Sequence, residues 1–453
     1  GLGVRTARQR RPTGRGGFAA EFSMNDAARG QRLAFFRQSG WMLVATAAAG
    51  ALMSLVHLPA SRMGGADYAV FAAMVDLLYL IGIPAAGLQG MFAQMAATAV
   101  DGARRAAVRT AARRVLAAAT ALWAVLAVAA WLGQGRVLEL WAMPRPAVLW
   151  ATLLTGLLLL WQPVFAGLLQ GAQNFLWLGH ASIAAGAGRL AAVALLVPGL
   201  GWGVAGGCWG LLLGALAALS LSGWAARGWL AGPAGGFAAG PWLRRLLPMT
   251  LGLAAGSVML GFDTQVVQTV FADEAKALYA AAGRIGRALV MFTIPMAVVL
   301  FPKVARSAAT GEPTEALRLA LGATLGTGLA AALACTLFPT LPLRILFAGR
   351  PEFLGAAPLV VGFVWAMLPL TAAYTLIHNL LARERYAAAP WLAAVAAGYV
   401  VTLLGLRGRL GELPAMEGFR LVLLVLGGFS LLLLTVAAGF SLAAARRAPR
   451  RAG

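Results

Sequence analysis

Five ionisable side chains lie deep inside long apolar stretches of the sequence: Asp76, Arg189, Asp263, Arg284 and Arg287. A charged side chain at the centre of a membrane helix costs roughly 2.5 to 3.5 kcal/mol on insertion scales, so it persists where it pairs or faces a polar cavity. Three arginines against two aspartates would leave such a cavity positively charged, and a guanidinium binds phosphate through two parallel hydrogen bonds. The set therefore indicates a cavity for an anion.

The positions of these residues along the chain indicate a common depth. Asp76, Asp263 and Arg287 each lie nine to eleven residues from a charged loop residue. At 1.5 Å per residue this is about 14 to 17 Å, close to the middle of a bilayer. Arg284 and Arg287 are three residues apart and share one helix face. An alternative remains open, in which Asp263 pairs with Arg284, or Asp76 with Arg287, and the pairs only hold helices together.

The composition of the whole chain requires lipid as its solvent. Of its 453 residues, 60% are hydrophobic and 11% are charged, with a mean hydropathy of +0.79, whereas a soluble domain carries roughly 25% charged residues. The formal net charge of +22 does not indicate a nucleic-acid partner, because many arginines lie in the two tails and in short loops between apolar stretches. The composition predicts an all-α integral membrane protein.

Apolar segments of about 20 residues, the length that crosses a bilayer, indicate about twelve transmembrane helices. They lie at 39–60, 68–94, 115–133, 147–170, 180–199, 203–226, 246–270, 278–301, 317–340, 355–381, 388–406 and 418–442. Basic loops or tails follow the second, sixth, eighth, tenth and twelfth spans, and the loops on the opposite side are poorer in net positive charge. Both termini are therefore predicted to be cytoplasmic.

Domain boundaries follow from these spans. The prediction is a basic cytoplasmic tail at 1–38, an N-terminal six-helix lobe at 39–226, a cytoplasmic linker at 227–245, a C-terminal six-helix lobe at 246–442 and a basic cytoplasmic tail at 443–453. Met24 is a plausible translation start, which would leave residues 1–23 outside the native protein. Otherwise these residues form a disordered basic tail.

The two lobes carry an internal repeat at a constant offset of 211 residues. Tyr68 falls on Tyr279, Asp76 on Arg287, and Ile83-Pro84 on Ile294-Pro295. Both copies start on the same side of the membrane, so the prediction is a parallel repeat of two six-helix lobes around a central cavity. Pro84 and Pro295 each remove a backbone hydrogen bond inside a span, and their equivalent positions predict a hinge in each lobe.

The sequence contains no motif that indicates catalysis, a metal or a cofactor. Residues 201–206 read Gly-Trp-Gly-Val-Ala-Gly, but they follow a membrane span instead of a strand, so they predict a tight turn and no dinucleotide site. There is no phosphate-binding loop of the ATPase type, no metal-binding spacing of His residues and no soluble domain large enough for chemistry. The prediction is that the protein is not an enzyme and that it holds neither a cofactor nor a metal.

Several short motifs resemble the polysaccharide flippase branch of the MOP superfamily of exporters. Residues 63–68, Met-Gly-Gly-Ala-Asp-Tyr, are similar to the Leu-Gly-x-x-Glu-Tyr-Gly entry into the second span of that family. Asp263, Leu278–Ala282 and Phe301-Pro302-Lys303 resemble its pattern in the second half, and Leu200–Gly206 resembles its turn between the fifth and sixth spans. Ala69 departs from the pattern at a position where Gly is common.

The resemblance implies alternating access of two lobes in the cell inner membrane, and export of an undecaprenyl-diphosphate-linked oligosaccharide for a surface polysaccharide such as an O-antigen or exopolysaccharide. The partners would be this lipid-linked oligosaccharide, membrane lipids, glycosyltransferases and a polysaccharide polymerase. The diphosphate would bind Arg189, Arg284 and Arg287, while Tyr79, Gln89 and Gln162 meet the sugars.

Two other functions are compatible with a polytopic membrane protein. A multidrug or small-solute antiporter of the same fold would use Asp76 or Asp263 as its proton or sodium site, although a positively charged cavity disfavours cationic drugs. An intramembrane glycosyltransferase or polymerase would be expected to carry a long periplasmic loop, which this sequence lacks.

Overall fold

The computed structural model describes residues 15–446 apart from residues 61, 64–66, 68–69, 72–73, 76, 79–81, 142, 144, 312–314 and 347–350. Asp76 and Tyr79 of the predicted site lie outside the described residues, as do Tyr68 of the repeat and residues 447–453 of the predicted C-terminal tail.

Twelve long helices account for most of the described residues. They are α1 (Arg15–Leu55), α2 (Gly82–Thr98), α3 (Gly102–Leu132), α4 (Pro146–Gly171), α5 (Phe175–Ala194), α6 (Gly203–Leu230), α7 (Ala239–Val270), α8 (Asp273–Thr310), α9 (Ala316–Leu337), α10 (Ala357–Ala382), α11 (Ala389–Gly405) and α12 (Ala415–Arg446). Eleven of them lie in segments long and apolar enough to cross a membrane. The other, α2, has 17 residues, and the described residues between 67 and 78 that precede it are also helical. The predicted all-α fold is confirmed.

Two predicted boundaries differ from the structure. α1 begins at Arg15, so residues 15–38 of the predicted tail are helical and continuous with the first span. That segment contains no Pro and several Ala, Arg and Gln residues, which favour a helix. α6 continues to Leu230 and α7 begins at Ala239, so the linker is shorter than the predicted 227–245.

The helices of the two lobes pack in the same pattern. In the N-terminal lobe, α2 packs against α4, α4 against α6, and α1 against α5. In the C-terminal lobe, α8 packs against α10, α10 against α12, and α7 against α11. Each contact recurs six helices later in the chain, which confirms the parallel two-lobe repeat.

The turns after α4 and α10 have the same backbone conformation and the same hydrogen bonds. Gln173 and Glu384 are 211 residues apart, and they are the two non-glycine residues with positive φ in the described chain, at 57° and 56°. In both turns the N–H of the next residue donates to the carbonyl five residues earlier, at 2.8 and 2.9 Å. A left-handed residue with such a bond closes the C-terminus of a helix. The offset found in the sequence is therefore also present in the backbone geometry.

The arginines of the predicted cytoplasmic loops gather at one end of the bundle, here called the basic end. It is formed by the segments that join α2 to α3, α4 to α5, α6 to α7, α8 to α9 and α10 to α11. Arg109 and Arg113 of α3 donate to the carbonyls of Pro233 and Leu230, each at 2.6 Å. The positive-inside rule predicts that the basic end faces the cytoplasm.

This orientation predicts which engineered cysteines a membrane-impermeant maleimide reaches in intact cells. Gly135 and Gly408 lie at the end opposite the basic end, Gly102 and Gly236 lie at the basic end, and a Cβ added at any of them meets no atom within 4 Å. In a background without Cys208 and Cys335, we expect Gly135→Cys and Gly408→Cys to be labelled from outside. Gly102→Cys and Gly236→Cys should be labelled only after permeabilisation. Labelling of both groups from the same side would contradict the topology.

Candidate functional site

The C-terminal lobe holds a buried carboxylate where α7 meets α8. Asp263 of α7 has 0% of its surface exposed. Its Oδ2 accepts a hydrogen bond from the Tyr279 hydroxyl of α8 at 2.7 Å and a charged hydrogen bond from Nη2 of Arg287. Its Oδ1 is buried without a hydrogen-bond partner in the described part of the chain. Because a buried charge needs compensation, Arg287 and Tyr279 are what keep this carboxylate stable.

Arg287 is held in place from several directions. Its Nε donates to the carbonyl of Leu260 and its Nη2 to Oγ1 of Thr264, both at 2.7 Å. Its guanidinium lies 5.2 Å from the centre of the Phe363 ring of α10, a distance that gives a cation–π attraction. Nη1 has no hydrogen bond to any described residue, and the side chain is 17% exposed. Arg287 therefore keeps donors for a further acceptor.

The sequence of α8 explains how this arginine reaches the carboxylate. Tyr279, Gly283 and Arg287 recur every four residues and so occupy one face of the helix. A Cβ added at Gly283 would collide with Nη1 of Arg287, and one at Gly286 would lie 2.5 Å from Cβ of Phe363. The two glycines therefore make the room that the guanidinium and the aromatic ring occupy.

Arg284 takes no part in this ion pair. The alternative in which Asp263 pairs with Arg284 is wrong, because the structure pairs Asp263 with Arg287. Arg284 lies on an exposed face of α8 with Ala277 and Met291, each seven residues away from it. It has no hydrogen-bond or ion-pair partner among the described residues. The two arginines are near neighbours on α8, but one is paired and the other is not.

The exposed face of α8 borders the space between the lobes. Val298 lies 14 residues after Arg284, on about the same side of the helix. Its carbonyl accepts a hydrogen bond from Gln170 of α4, in the N-terminal lobe, at 3.1 Å. The lobes therefore touch at the level of Val298 and leave Arg284, about 21 Å away along α8, uncovered. This arrangement is a cleft that is closed at the basic end and opens towards the opposite end.

The hydrogen bonds between the lobes that the structure describes all lie at the basic end. Gln94 of α2 donates to the Leu381 carbonyl at 3.4 Å and accepts from the Tyr386 hydroxyl at 2.7 Å. Lys303 of α8 donates to Oε1 of Gln173 at 3.3 Å. Together with the bond from Gln170 to the Val298 carbonyl, these contacts close this end of the cleft.

In the N-terminal lobe, Arg189 of α5 borders a separate cavity of about 150 Å³. The other described lining residues come from the same lobe and are apolar or glycine: Met53, Val75, Leu78, Gly82, Ala85, Leu159 and Leu211. The structure therefore does not bring Arg189 to the pair of Asp263 and Arg287. It places one arginine beside a cavity inside the N-terminal lobe and two on α8.

Gln89 and Gln162, which were predicted to meet the sugars, lie in different surroundings. Nε2 of Gln89 donates to Oε1 of Gln170 at 2.9 Å within the N-terminal lobe, and Gln170 in turn donates to Val298 of the other lobe. Oε1 of Gln162 accepts from the Ser222 hydroxyl at 3.2 Å, within the N-terminal lobe. Both side chains are only partly buried.

The two predicted hinge prolines lie in the helices through which the lobes touch. Pro84 is exposed near the start of α2, and Pro295 is buried inside α8. α2 packs across the lobe boundary against both α7 and α8. Their hinge role stays a prediction.

Sequence reasoning missed Tyr279, Thr264 and Phe363 as members of the site. Spacing offered a signal for two of them, since Tyr279 lies two helical turns before Arg287 and Thr264 directly follows Asp263. Phe363 comes from α10, and no local pattern could have shown which helix would cover α8 here.

The comparisons with known proteins come from solved structures. No protein-family model and no curated protein matches the chain. A mutant form of the MATE transporter VcmN from Vibrio cholerae is 16% identical with a TM-score of 0.73, covering 94% of this chain and 99% of that one. A MOP superfamily transporter from Pyrococcus furiosus is 14% identical with a TM-score of 0.69, covering 92% and 96%. An outward-facing MATE-family multidrug resistance transporter of the MOP superfamily is 13% identical with a TM-score of 0.69, covering 93% and 97%.

At these identities the likeness is one of fold. The chain has the fold of MATE transporters of the MOP superfamily, along nearly its whole length. These neighbours are transporters and not enzymes. Together with the eleven apolar spans, this fold indicates a multi-pass membrane protein.

Proposed function

We propose that the protein moves an undecaprenyl-diphosphate-linked oligosaccharide across the cell inner membrane by alternating access of its two lobes. Both termini would be cytoplasmic. The enzymes that assemble and polymerise the oligosaccharide would act before and after it.

The observation that carries this proposal is the exposed guanidinium of Arg284 on the cleft side of α8, which has no ion-pair partner among the described residues. A charge at this depth is costly against lipid, so it belongs to a polar path. Arg287 is nearby with donors to spare, and its own charge is balanced by Asp263. The excess positive charge in the cleft suits an anionic group, and two guanidinium groups can bind a diphosphate at several oxygens.

We expect the charge of the binding pocket to distinguish transporters of this fold that take cationic substrates from those that take anionic ones. The Pyrococcus furiosus transporter is described as having a binding pocket of reverse polarity that suggests a different function, whereas another neighbour is a multidrug resistance transporter. An unpaired arginine in the cleft repels a cationic drug and attracts an anion. This favours the anionic lipid-linked substrate for the present chain.

A multidrug or small-solute antiporter is the second candidate, and one observation favours it. Oδ1 of Asp263 is buried without a hydrogen-bond partner among the described residues. Such an oxygen is available to bind a proton or a sodium ion. Arg287 already supplies one positive charge to the same carboxylate, which leaves less need for a second cation.

Transport by the purified protein in liposomes separates the two functions. One probe is a fluorescent N-acetylglucosamine joined through a diphosphate to a short polyprenyl chain, and the other is the lipophilic cation ethidium. We expect the diphosphate probe to cross and Arg284→Ala to slow it roughly tenfold or more, because a charge-assisted contact is lost. Arg284→Lys should recover only part of the rate, since an ammonium cannot make the two-pronged contact.

Arg318→Ala is the matched control. Arg318 is exposed and forms a surface pair with Glu315, so its loss should leave the rate of transport unchanged. Transport of ethidium without transport of the diphosphate probe would contradict the flippase proposal and favour the antiporter.

A further inference from the structure

A groove of about 650 Å³ runs between α10 and α12 of the C-terminal lobe. Its walls follow one face of each helix and are formed by apolar residues, glycines and one arginine, among them Pro358, Gly362 and Pro369 of α10 and Arg420, Gly428 and Leu431 of α12. Trp365 of α10 and leucines of both helices also line it, and the glycines leave space between these side chains. A Cβ added at Gly428 would meet no atom within 4 Å, so the groove is open at that point.

The length of the groove along the helices equals the thickness of about one leaflet of a bilayer. It extends over twelve residues on each helix, from Pro358 to Pro369 and from Arg420 to Leu431, which is about 16 Å. The hydrocarbon core of a bilayer is about 30 Å thick. Both helices begin at the end opposite the basic end, so the groove runs from that surface to about the middle of the membrane.

Arg420 marks the outer mouth of the groove. It lies five residues after the start of α12, near the depth where lipid phosphates meet the hydrocarbon. Its side chain is exposed and has no hydrogen-bond or ion-pair partner among the described residues. No carboxylate lines the described groove, so nothing there would receive a cationic headgroup.

α10 separates the groove from the cleft. Gly362 borders the groove, whereas the next residue, Phe363, covers Arg287 on α8. An occupant of the groove therefore packs on a different face of α10 from the one that covers Arg287. It would be a resident molecule and not one in transit through the cleft.

We infer that this groove is a binding site for one anionic phospholipid, with an acyl chain along the glycine walls and the phosphate on Arg420. The depth of one leaflet matches a single lipid. The guanidinium of Arg420, which has no partner within the described part of the chain, selects a net negative headgroup. The inference concerns a surface outside the cleft and does not depend on which substrate the protein transports.

Native mass spectrometry of the full-length protein tests this site, with phosphatidylglycerol and phosphatidylethanolamine added at equal concentration after delipidation. We expect the wild type to retain one phosphatidylglycerol molecule in preference to phosphatidylethanolamine. Arg420→Gln should lower that preference roughly tenfold, the effect of losing one charge-assisted contact. Gly428→Leu should fill the groove and release both lipids, and it should fold because its Cβ has open space.

Two variants serve as matched controls. Gly439→Leu lies on the same helix outside the groove, also with no atom within 4 Å of its Cβ. Arg409→Gln removes an exposed arginine at the same end of the bundle. Both should retain phosphatidylglycerol like the wild type. Equal retention of the two lipids by the wild type, or an unchanged preference in Arg420→Gln, would overturn the inference. Displacement of phosphatidylglycerol by undecaprenyl phosphate at equal concentration would also overturn it, by assigning the groove to the carrier lipid.

Discussion

Arg287→Ala is expected to destabilise the folded protein by about 3–5 kcal/mol, the usual effect of removing one partner of a buried ion pair. Among the side chains that the structure describes, the variant leaves the fully buried carboxylate of Asp263 with the Tyr279 hydroxyl as its hydrogen-bond donor. It also removes the link from α8 to the Leu260 carbonyl and to Thr264 on α7. Thermal unfolding in detergent, monitored by size-exclusion chromatography, measures the loss of stability.

The surface pair of Arg318 with Glu315 provides the comparison. Arg318→Ala also removes an arginine from an ion pair, but its partner is exposed and remains hydrated, so stability should change by about 1 kcal/mol or less. An Arg287→Ala protein as stable as the wild type would contradict the conclusion that this pair holds α7 to α8.

A double variant separates the structural role of Arg287 from its role in binding. Asp263→Asn with Arg287→Gln removes both charges and keeps side chains that can form hydrogen bonds, so stability should return towards that of the wild type. Under the proposed function, this double variant folds but transports the diphosphate probe slowly. Full transport by the stable double variant would show that the pair is structural and that Arg287 does not bind the substrate.

The fold could be predicted from the sequence because the physical constraints on a membrane chain are strong. Each span must be long and apolar and must satisfy its own backbone, so the spans were visible as hydrophobic runs. The repeat was visible as a Tyr and an Ile-Pro at one offset, and the turns at Gln173 and Glu384 carry the same offset. The start of α1 was missed because hydropathy detects the membrane-embedded part of a helix and not its polar extension.

The site could be predicted only in part. Residue type and depth identified Asp263, Arg284 and Arg287, because charge in an apolar span is costly. Pairing depends on the rotation of α8, which Gly283 and the packing of Phe363 decide, and this cannot be derived from spacing alone. Arg284 and Arg287 are only 60° apart around the helix, and that difference places one against Asp263 and leaves the other facing the cleft.

A disulfide that joins the two lobes at the basic end is expected to abolish transport until the disulfide is reduced. A Cβ added at Gly90 of α2 would lie 3.3 Å from Cγ of Met249 on α7, and a cysteine sulfur would take the place of that Cγ. Gly90→Cys with Met249→Cys should therefore form a disulfide with little backbone movement. If the lobes must separate here in each cycle, the oxidised protein cannot expose the cleft at the basic end, and a reductant should restore the rate. The readout is whichever of the two liposome probes the protein transports.

A disulfide within one lobe is the matched control. A Cβ added at Gly427 of α12 would lie 3.6 Å from Cβ of Ala366 on α10, within the range that a disulfide spans. Since α10 and α12 belong to the same lobe and move together in the proposed cycle, Gly427→Cys with Ala366→Cys should form a cross-link and leave transport unaffected. Unchanged transport in the fully cross-linked Gly90 and Met249 protein would show that the lobes do not part at the basic end. The contacts of Gln94, Gln170 and Lys303 would then be permanent features of the fold and not a closure that opens.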